Sequence, residues 1–270
     1  MVFVVSRFFW DKRYVDSNEE ETKVEEIVAG KYIPPRRVVH IGIRELCQYL
    51  FVIDIQIISC LDMKGAPPRL SYLISLFPIL SKAGATDLLL EYEDMFPFWG
   101  PLANISARNA YTIQDIAGLL HAAKENNMTV IPLVQTFGHM EWVLKLERFK
   151  HLREEQHYPG SVCPSREGTM DLLRLVLTQV MEVHAGSSHL HIGCDEVFQL
   201  GSCSQCVQRI NKVNTQPGSA YYNTRMLFLD HVKAVASFVN RKGKTPIMWD
   251  DMLRNMPRSE IKVLAFDLIF

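Results

Sequence analysis

From about residue 57 onward, short runs of β-branched residues and leucine alternate with segments whose apolar positions recur at helical spacing, and this rhythm restricts the fold more than any single motif. Six runs read as strands: Ile57 to Met63, Thr86 to Tyr92, Met128 to Val134, His189 to Gly193, Thr245 to Trp249 and Ile261 to Phe266. Each is almost continuously apolar, the pattern of parallel strands covered on both faces. Between them lie amphipathic helices. Thr112 caps one that carries Ile113, Ile116, Leu119, Leu120 and Ala123 and stops at Asn126-Asn127. A second carries Leu173, Val176, Leu177 and Val180 before Gly186, and a third carries Met226, Leu229, Val232, Ala236 and Val239 before Gly243. Repeated strand-helix units leave two α/β architectures, an open doubly wound sheet or a (β/α)-barrel of the TIM type.

The polar residues choose between them. Nearly every strand ends in chemistry: Asp62 and Lys64, Glu91 and Glu93, Gln135 and His139, Asp195 and Glu196, Trp249 and Asp250. A barrel brings all those ends to one mouth, whereas an open sheet concentrates function at a single switch point. Neither a Gly-x-Gly-x-x-Gly fingerprint nor a phosphate-binding loop is present. The expectation is a (β/α)-barrel, with residues 1–45 as an irregular or disordered lead-in and residues 46–270 as a partial barrel catalytic domain. The charged stretch Ser17 to Lys23 and the breaker Pro34-Pro35-Arg36-Arg37 set the lead-in apart.

His191-Ile192-Gly193-Cys194-Asp195-Glu196 is the most informative motif, a short buried strand delivering adjacent carboxylates. By strand alternation His191, Gly193 and Asp195 share a face, and Glu196 falls where strand gives way to loop. One acid can then stay ionised while its neighbour, crowded by that charge and by apolar surroundings, keeps a proton to donate. A bare Asp-Glu pair is more often a solvated turn. The strand context, and a glycine that permits close approach, argue against that here.

Composition narrows the ligand. A net charge of -1 without a basic cluster gives no electrostatic footprint for nucleic acid or an anionic membrane, so a neutral ligand such as a sugar is easier to defend. The apolar start Val2 to Val5 meets Arg7 too soon for a secretory signal, and Tyr49 to Ile58, interrupted by Asp54, falls short of the roughly 20 residues of a bilayer span. Six scattered cysteines favour a reducing compartment over a disulfide framework, so the expected location is the cytoplasm, with the nucleus as a second site. The sequons at Asn104 and Asn127 then read as chance. Cys203-Ser204-Gln205-Cys206 invites a zinc reading, but zinc needs four ligands and no second Cys-x-x-Cys exists. The pair is therefore assigned to a helix start with a structural role, and no metal and no cofactor are expected.

Four segments together resemble the β-N-acetylhexosaminidases of glycoside hydrolase family 20: His191 to Val197, Thr136-Phe137-Gly138-His139, Ala110 to Asp115, and Met248-Trp249-Asp250. Leu61 to Pro68, Glu91 to Pro97 and Pro132 to Glu141 are similar to one subgroup of that family. The likeness runs from about residue 57 to 267, with the motifs in family order.

The resemblance implies a barrel that removes terminal β-linked N-acetylhexosamine, GalNAc or GlcNAc, with retention of configuration, the sugar's own acetamide acting as nucleophile. Asp195 would hold the acetamide and Glu196 would be the general acid and base. His139 would sit behind the acid, linked to Glu93. Trp249 would wall the sugar pocket, and Lys64 or Asp62 would bind sugar hydroxyls. Lys64 stands where many members have arginine, and Gln135 replaces an acidic residue. The expected partner is a glycan or glycoconjugate, with a homodimer as a further option. The chain stops after the sixth strand, so about six of eight units are expected. Two units would be missing, with the tyrosine that holds the acetamide carbonyl and the tryptophan that closes the pocket, and Phe266 stands in place of a sixth-strand tryptophan. A catalytically impaired carbohydrate-binding or regulatory fragment is the alternative expectation.

Overall fold

A computed structural model of the chain describes residues 3–5, 37–41, 52–53, 56–216, 222–257 and 260–261. Its frame is a parallel sheet of β4 (Gln56–Asp62), β5 (Asp87–Glu91), β6 (Thr129–Leu133), β9 (His189–His191) and β10 (Thr245–Trp249), each hydrogen-bonded to the one before it. β1 (Phe3–Val5) adds in parallel beside β10, and β2 (Arg37–Ile41) beside β4. β3 (Val52–Ile53) pairs antiparallel with β4. The order β1-β10-β9-β6-β5-β4-β2 is that of a (β/α)-barrel of the TIM type, incomplete among the described residues.

Burial explains why these runs are strands. All five residues of β5 are buried, and Leu88 and Leu90 are wholly inaccessible, each contributing about 1.5–3 kcal/mol by leaving water. Helices cover the outside: α1 (Leu70–Lys82), α2 (Ile113–Glu125), the single turn α3 (Glu141–Leu144), α4 (Thr169–Val183), α5 (Ser204–Asn214) and α6 (Thr224–Arg241). Thr112 caps α2 with a complete capping box, its hydroxyl taking the Asp115 N–H while the Asp115 carboxylate takes the Thr112 N–H. α6 buries Phe228, Leu229, Val232, Val235 and Val239 and sends Phe228 and His231 against Phe137. That contact supports the loop after β6, since His231 Nε2–H donates to the Thr136 carbonyl at 2.9 Å.

Three features depart from the sequence reading. Residues 1–45, expected to be an irregular lead-in, contribute β1 and β2 to the sheet, whose backbone hydrogen bonds order them. An antiparallel hairpin, β7 (Arg153–Glu155) with β8 (Tyr158–Val162), lies between β6 and α4. β9 ends at His191, because backbone φ turns positive at Gly193 (67°) and Cys194 (71°) and no strand can continue through that geometry. The alternation inferred for His191, Gly193 and Asp195 therefore does not hold past His191. The expected sixth strand lies outside the described residues from 262 on, and Ile261 itself belongs to a helical turn.

Candidate active site

Each strand of the frame delivers polar residues at its carboxyl end. Asp62 closes β4, Glu91 closes β5 with Glu93 just beyond it, Gln135 to His139 follow β6, Asp195 and Glu196 follow β9, and Trp249 closes β10 ahead of Asp250 and Asp251. The ends are laced together. Trp249 N–H donates to the Gly193 carbonyl at 3.0 Å, and the Thr136 hydroxyl donates to the Ile192 carbonyl at 2.7 Å. Two glycines make the approach feasible. A Cβ on Gly138 would overlap the Asp195 carbonyl oxygen, and one on Gly193 would overlap the Gln135 side chain.

The backbone is strained at the same place. Among the described residues five non-glycine residues have positive φ, and four of them belong to these strand ends: Glu93 (49°), His139 (52°), Cys194 (71°) and Glu196 (50°). Each costs about 1–3 kcal/mol, so the surrounding contacts must hold it. One holder is visible, as Asp251 Oδ2 accepts the Glu196 N–H at 3.0 Å.

His139 joins the acid pair. Its Nε2 lies 3.4 Å from Asp195 Oδ2 and 3.4 Å from Glu196 Oε2. The hydrogen bond to Asp195 lifts the imidazole pKa to about 9, against the opposing effect of burial, so at neutral pH His139 is a cation between two carboxylates. Burial alone would raise Asp195, but the bond and charge of His139 outweigh it and hold its carboxyl below the usual range. Exposure separates the acids: the Asp195 side chain is 7% accessible and that of Glu196 39%. An ionised, buried acceptor thus stands beside an acid open to solvent.

A second charge cluster gathers at the ends of β4 and β5. Lys64 Nζ lies 3.3 Å from Asp62 Oδ2 and 3.7 Å from Glu93 Oε1. Burial works against the ammonium, yet Glu91, Glu93 and Asp62 together raise its pKa above the ordinary lysine value. Burial, reinforced by Glu91 and opposed by Lys64, pushes Glu93 up to about 8. The expected link from Glu93 to His139 is replaced. Glu93 pairs with Lys64, while His139 finds its carboxylates at 195 and 196, since the left-handed turn at His139 aims its ring along the loop after β9. Glu91 stands between the clusters, fully buried and raised by that burial, with both Lys64 and Asp195 acting on it. It accepts a hydrogen bond from Gln135 Nε2 at 3.1 Å.

Trp249 is nearly buried, its indole packed on His191 with ring centroids 4.4 Å apart. His191 Nδ1 accepts the Gly193 N–H at 3.0 Å, which leaves the proton on Nε2. Burial drives its pKa down to about 3, so the ring is neutral. Four residues of the site went unassigned from sequence: Glu91, Gln135, His191 and Asp251. Gln135 Oε1, His191 Nε2 and Asp251 Oδ1 are buried polar atoms without a hydrogen-bond partner among the described residues. The signal for Asp251 was the Asp250-Asp251 doublet, whose first member instead pairs with Arg254.

The barrel thus gathers a buried acidic side chain, an exposed one and a histidine at its strand ends, where enzymes of this architecture keep their chemistry. Residues 71–266 match glycosyl hydrolase family 20, catalytic domain, and the chain belongs to that family. It is 45% identical over 203 residues to hexosaminidase D of Homo sapiens, an alignment covering 74% of this chain and 40% of that protein. Against hexosaminidase D of Bos taurus it is 44% identical over 203 residues, covering 74% of this chain and 57% of the relative. The chain thus spans roughly half the length of these relatives. Among solved structures, Flavobacterium johnsoniae chitobiase superimposes with a TM-score of 0.61 at 16% identity, over 74% of this chain and 32% of that one. That likeness concerns the fold.

Proposed function

We propose that this chain carries the acid-base machinery of a β-N-acetylhexosaminidase, releasing terminal β-linked GalNAc or GlcNAc from a glycan with retention of configuration. The observation that carries the reading is His139 held 3.4 Å from both Asp195 and Glu196, one acid buried and the other exposed. Family membership and the hexosaminidase D relatives support it.

In this reading Asp195 accepts the N–H of the substrate's acetamide group. The acetamide oxygen attacks the anomeric carbon as Glu196 protonates the departing glycosidic oxygen. The resulting cyclic oxazolinium carries positive charge beside the Asp195 carboxylate, which stabilises the transition state more than the ground state. Glu196 then takes a proton from water, which opens the ring on the same face. His139, cationic between the acids, fixes their separation. Lys64, Asp62 and Glu93 offer donors and acceptors for sugar hydroxyls, and Trp249 on His191 forms an apolar floor. A cytoplasmic or nuclear location belongs to the same proposal, in keeping with Cys163, Cys194, Cys203 and Cys206, which form no disulfide among the described residues.

The test is nitrophenol release from nitrophenyl N-acetyl-β-galactosaminide and -glucosaminide by the full chain. Turnover that disappears in Asp195→Ala supports the proposal, and turnover unchanged in that variant refutes it. Calorimetry that shows saturable N-acetylhexosamine binding without hydrolysis would assign the chain a binding role instead.

A further inference from the structure

Away from the acids, three thiols and a carboxylate converge in a buried cluster that the catalytic proposal does not use. Cys163, just past β8, places its Sγ 3.3 Å from Cys203 Sγ and 3.5 Å from Cys206 Sγ. Glu154, in β7, places Oε2 3.3 Å from Cys206 Sγ. All four residues are buried, and their ligand atoms lie within 4.8 Å of one another. We infer that Glu154, Cys163, Cys203 and Cys206 form a structural zinc site.

Three features argue for a cation over packed thiols. First, a carboxylate buried at 2% exposure costs several kcal/mol unless charge compensates it. Among the described residues no Lys, Arg or His forms an ion pair with Glu154. Second, the carboxylate is aimed. Oε1 accepts the N–H groups of Ser202 (2.9 Å) and Cys203 (3.1 Å), which leaves Oε2 turned toward the sulphurs, as an outer shell orients a metal ligand. Third, the geometry matches. Tetrahedral zinc with Zn–S bonds of about 2.3 Å holds its ligand atoms about 3.8 Å apart, close to the spacing seen, whereas a disulfide needs about 2.05 Å and cannot use three sulphurs. The cluster also sits at the start of α5, where the Cys206 N–H points to Cys203 Sγ at 3.4 Å and favours thiolate. Three thiolates and one carboxylate are a soft, closed donor set suited to zinc.

Such a site would clip together two loops of the catalytic mouth. The β7–β8 hairpin is bonded to the His139 loop through Val162 N–H to the Phe137 carbonyl (3.1 Å) and Met140 N–H to the Gly160 carbonyl (3.0 Å). Cys203 follows Glu196 on the other loop after a short connection. Zinc would therefore fix the hairpin carrying Glu154 and Cys163 against the segment that leaves the acid pair.

The test is elemental analysis of the full chain purified under reducing conditions from zinc-supplemented medium, with cobalt(II) exchanged in as a spectroscopic probe. The site predicts about one zinc per chain, and a thiolate-to-cobalt charge-transfer band with tetrahedral ligand-field absorption. Cys203→Ser/Cys206→Ser should lose the metal while Cys60→Ser keeps it. Glu154→Cys should retain zinc and strengthen the charge-transfer band, a readout that survives if the double variant fails to fold. Metal-free native protein that takes up neither zinc(II) nor cobalt(II), a double variant that keeps its zinc, or a disulfide among these cysteines in freshly reduced protein would each overturn the inference.

Discussion

The two ends of the same strands use polar residues in opposite ways. At the amino ends the groups are satisfied by the protein itself. Asp87, buried at the start of β5, accepts the hydroxyls of Thr86 (2.6 Å) and Thr129. Lys244 donates to the carbonyls of His184 (3.0 Å) and Ser187 just before β9 and β10. His184, buried at the end of α4 just before β9, donates from Nδ1 to the Val180 carbonyl. At the carboxyl ends, acids crowd one another, four non-glycine residues hold positive φ, and Gln135 Oε1, His191 Nε2 and Asp251 Oδ1 keep hydrogen-bonding capacity that no group among the described residues uses. A finished network stabilises a fold, and an unfinished, strained one is poised for a ligand.

Variants can break or sharpen that contrast. The largest effect should come from Glu196→Gln, with turnover of the nitrophenyl glycosides reduced by about 10²–10⁴ while the thermal midpoint stays at or above the parent value. A parallel loss of stability would mean that the acid is structural. Gly138→Ala should cost both properties, because the added methyl displaces the Asp195 carbonyl. About 1–3 kcal/mol should disappear in urea unfolding, together with most of the activity. At the opposite end, Asp87→Ala should lose about 0.5–1.5 kcal/mol by removing the hydrogen bonds to the half-buried Thr86 and exposed Thr129 hydroxyls, with activity per folded molecule unchanged.

The carboxyl ends should also titrate. His139, raised from 6.5 to about 9 in the fold, binds more protons folded than unfolded, so its contribution to stability is complete below pH 6.5 and lost as pH climbs through 9. Glu93, raised from 4.5 to about 8, acts in the same direction between those values. NMR should find the His139 midpoint near 9 in the parent and lower in Asp195→Asn. An unshifted midpoint would dissolve the His139–Asp195 pairing. The smallest effect belongs to Thr112→Ala, which removes the α2 cap, costs about 1 kcal/mol in unfolding and leaves turnover alone.

Most of the frame was legible because parallel strands buried on both faces write themselves as apolar runs. Thr245 to Trp249 falls on β10 to the residue, and the runs at β4, β5 and β6 fall within one residue at each end. β9 was read too long because a positive φ leaves no mark in hydropathy. The β7–β8 hairpin escaped notice since Arg153 to Val162 mixes charge, proline and glycine without alternation. The motifs brought Asp195, Glu196 and His139 together, yet assigned Glu93 the wrong neighbour, because which acid meets the imidazole depends on a loop turn. The sulphur cluster was missed for a related reason. Cys163 lies 40 residues before Cys203, and only the hairpin folds that distance away.

The strand order has a consequence for biogenesis. Since β5 pairs with β4, β6 with β5, β9 with β6 and β10 with β9, a chain emerging from the ribosome can lay each of these strands against an edge already formed, whereas β1, made first, meets its neighbour only when β10 arrives. Growth of this kind presents a raw edge to solvent, so sheet-to-sheet aggregation during translation is the hazard to expect, and holding the nascent edge apart is the service a chaperone would render.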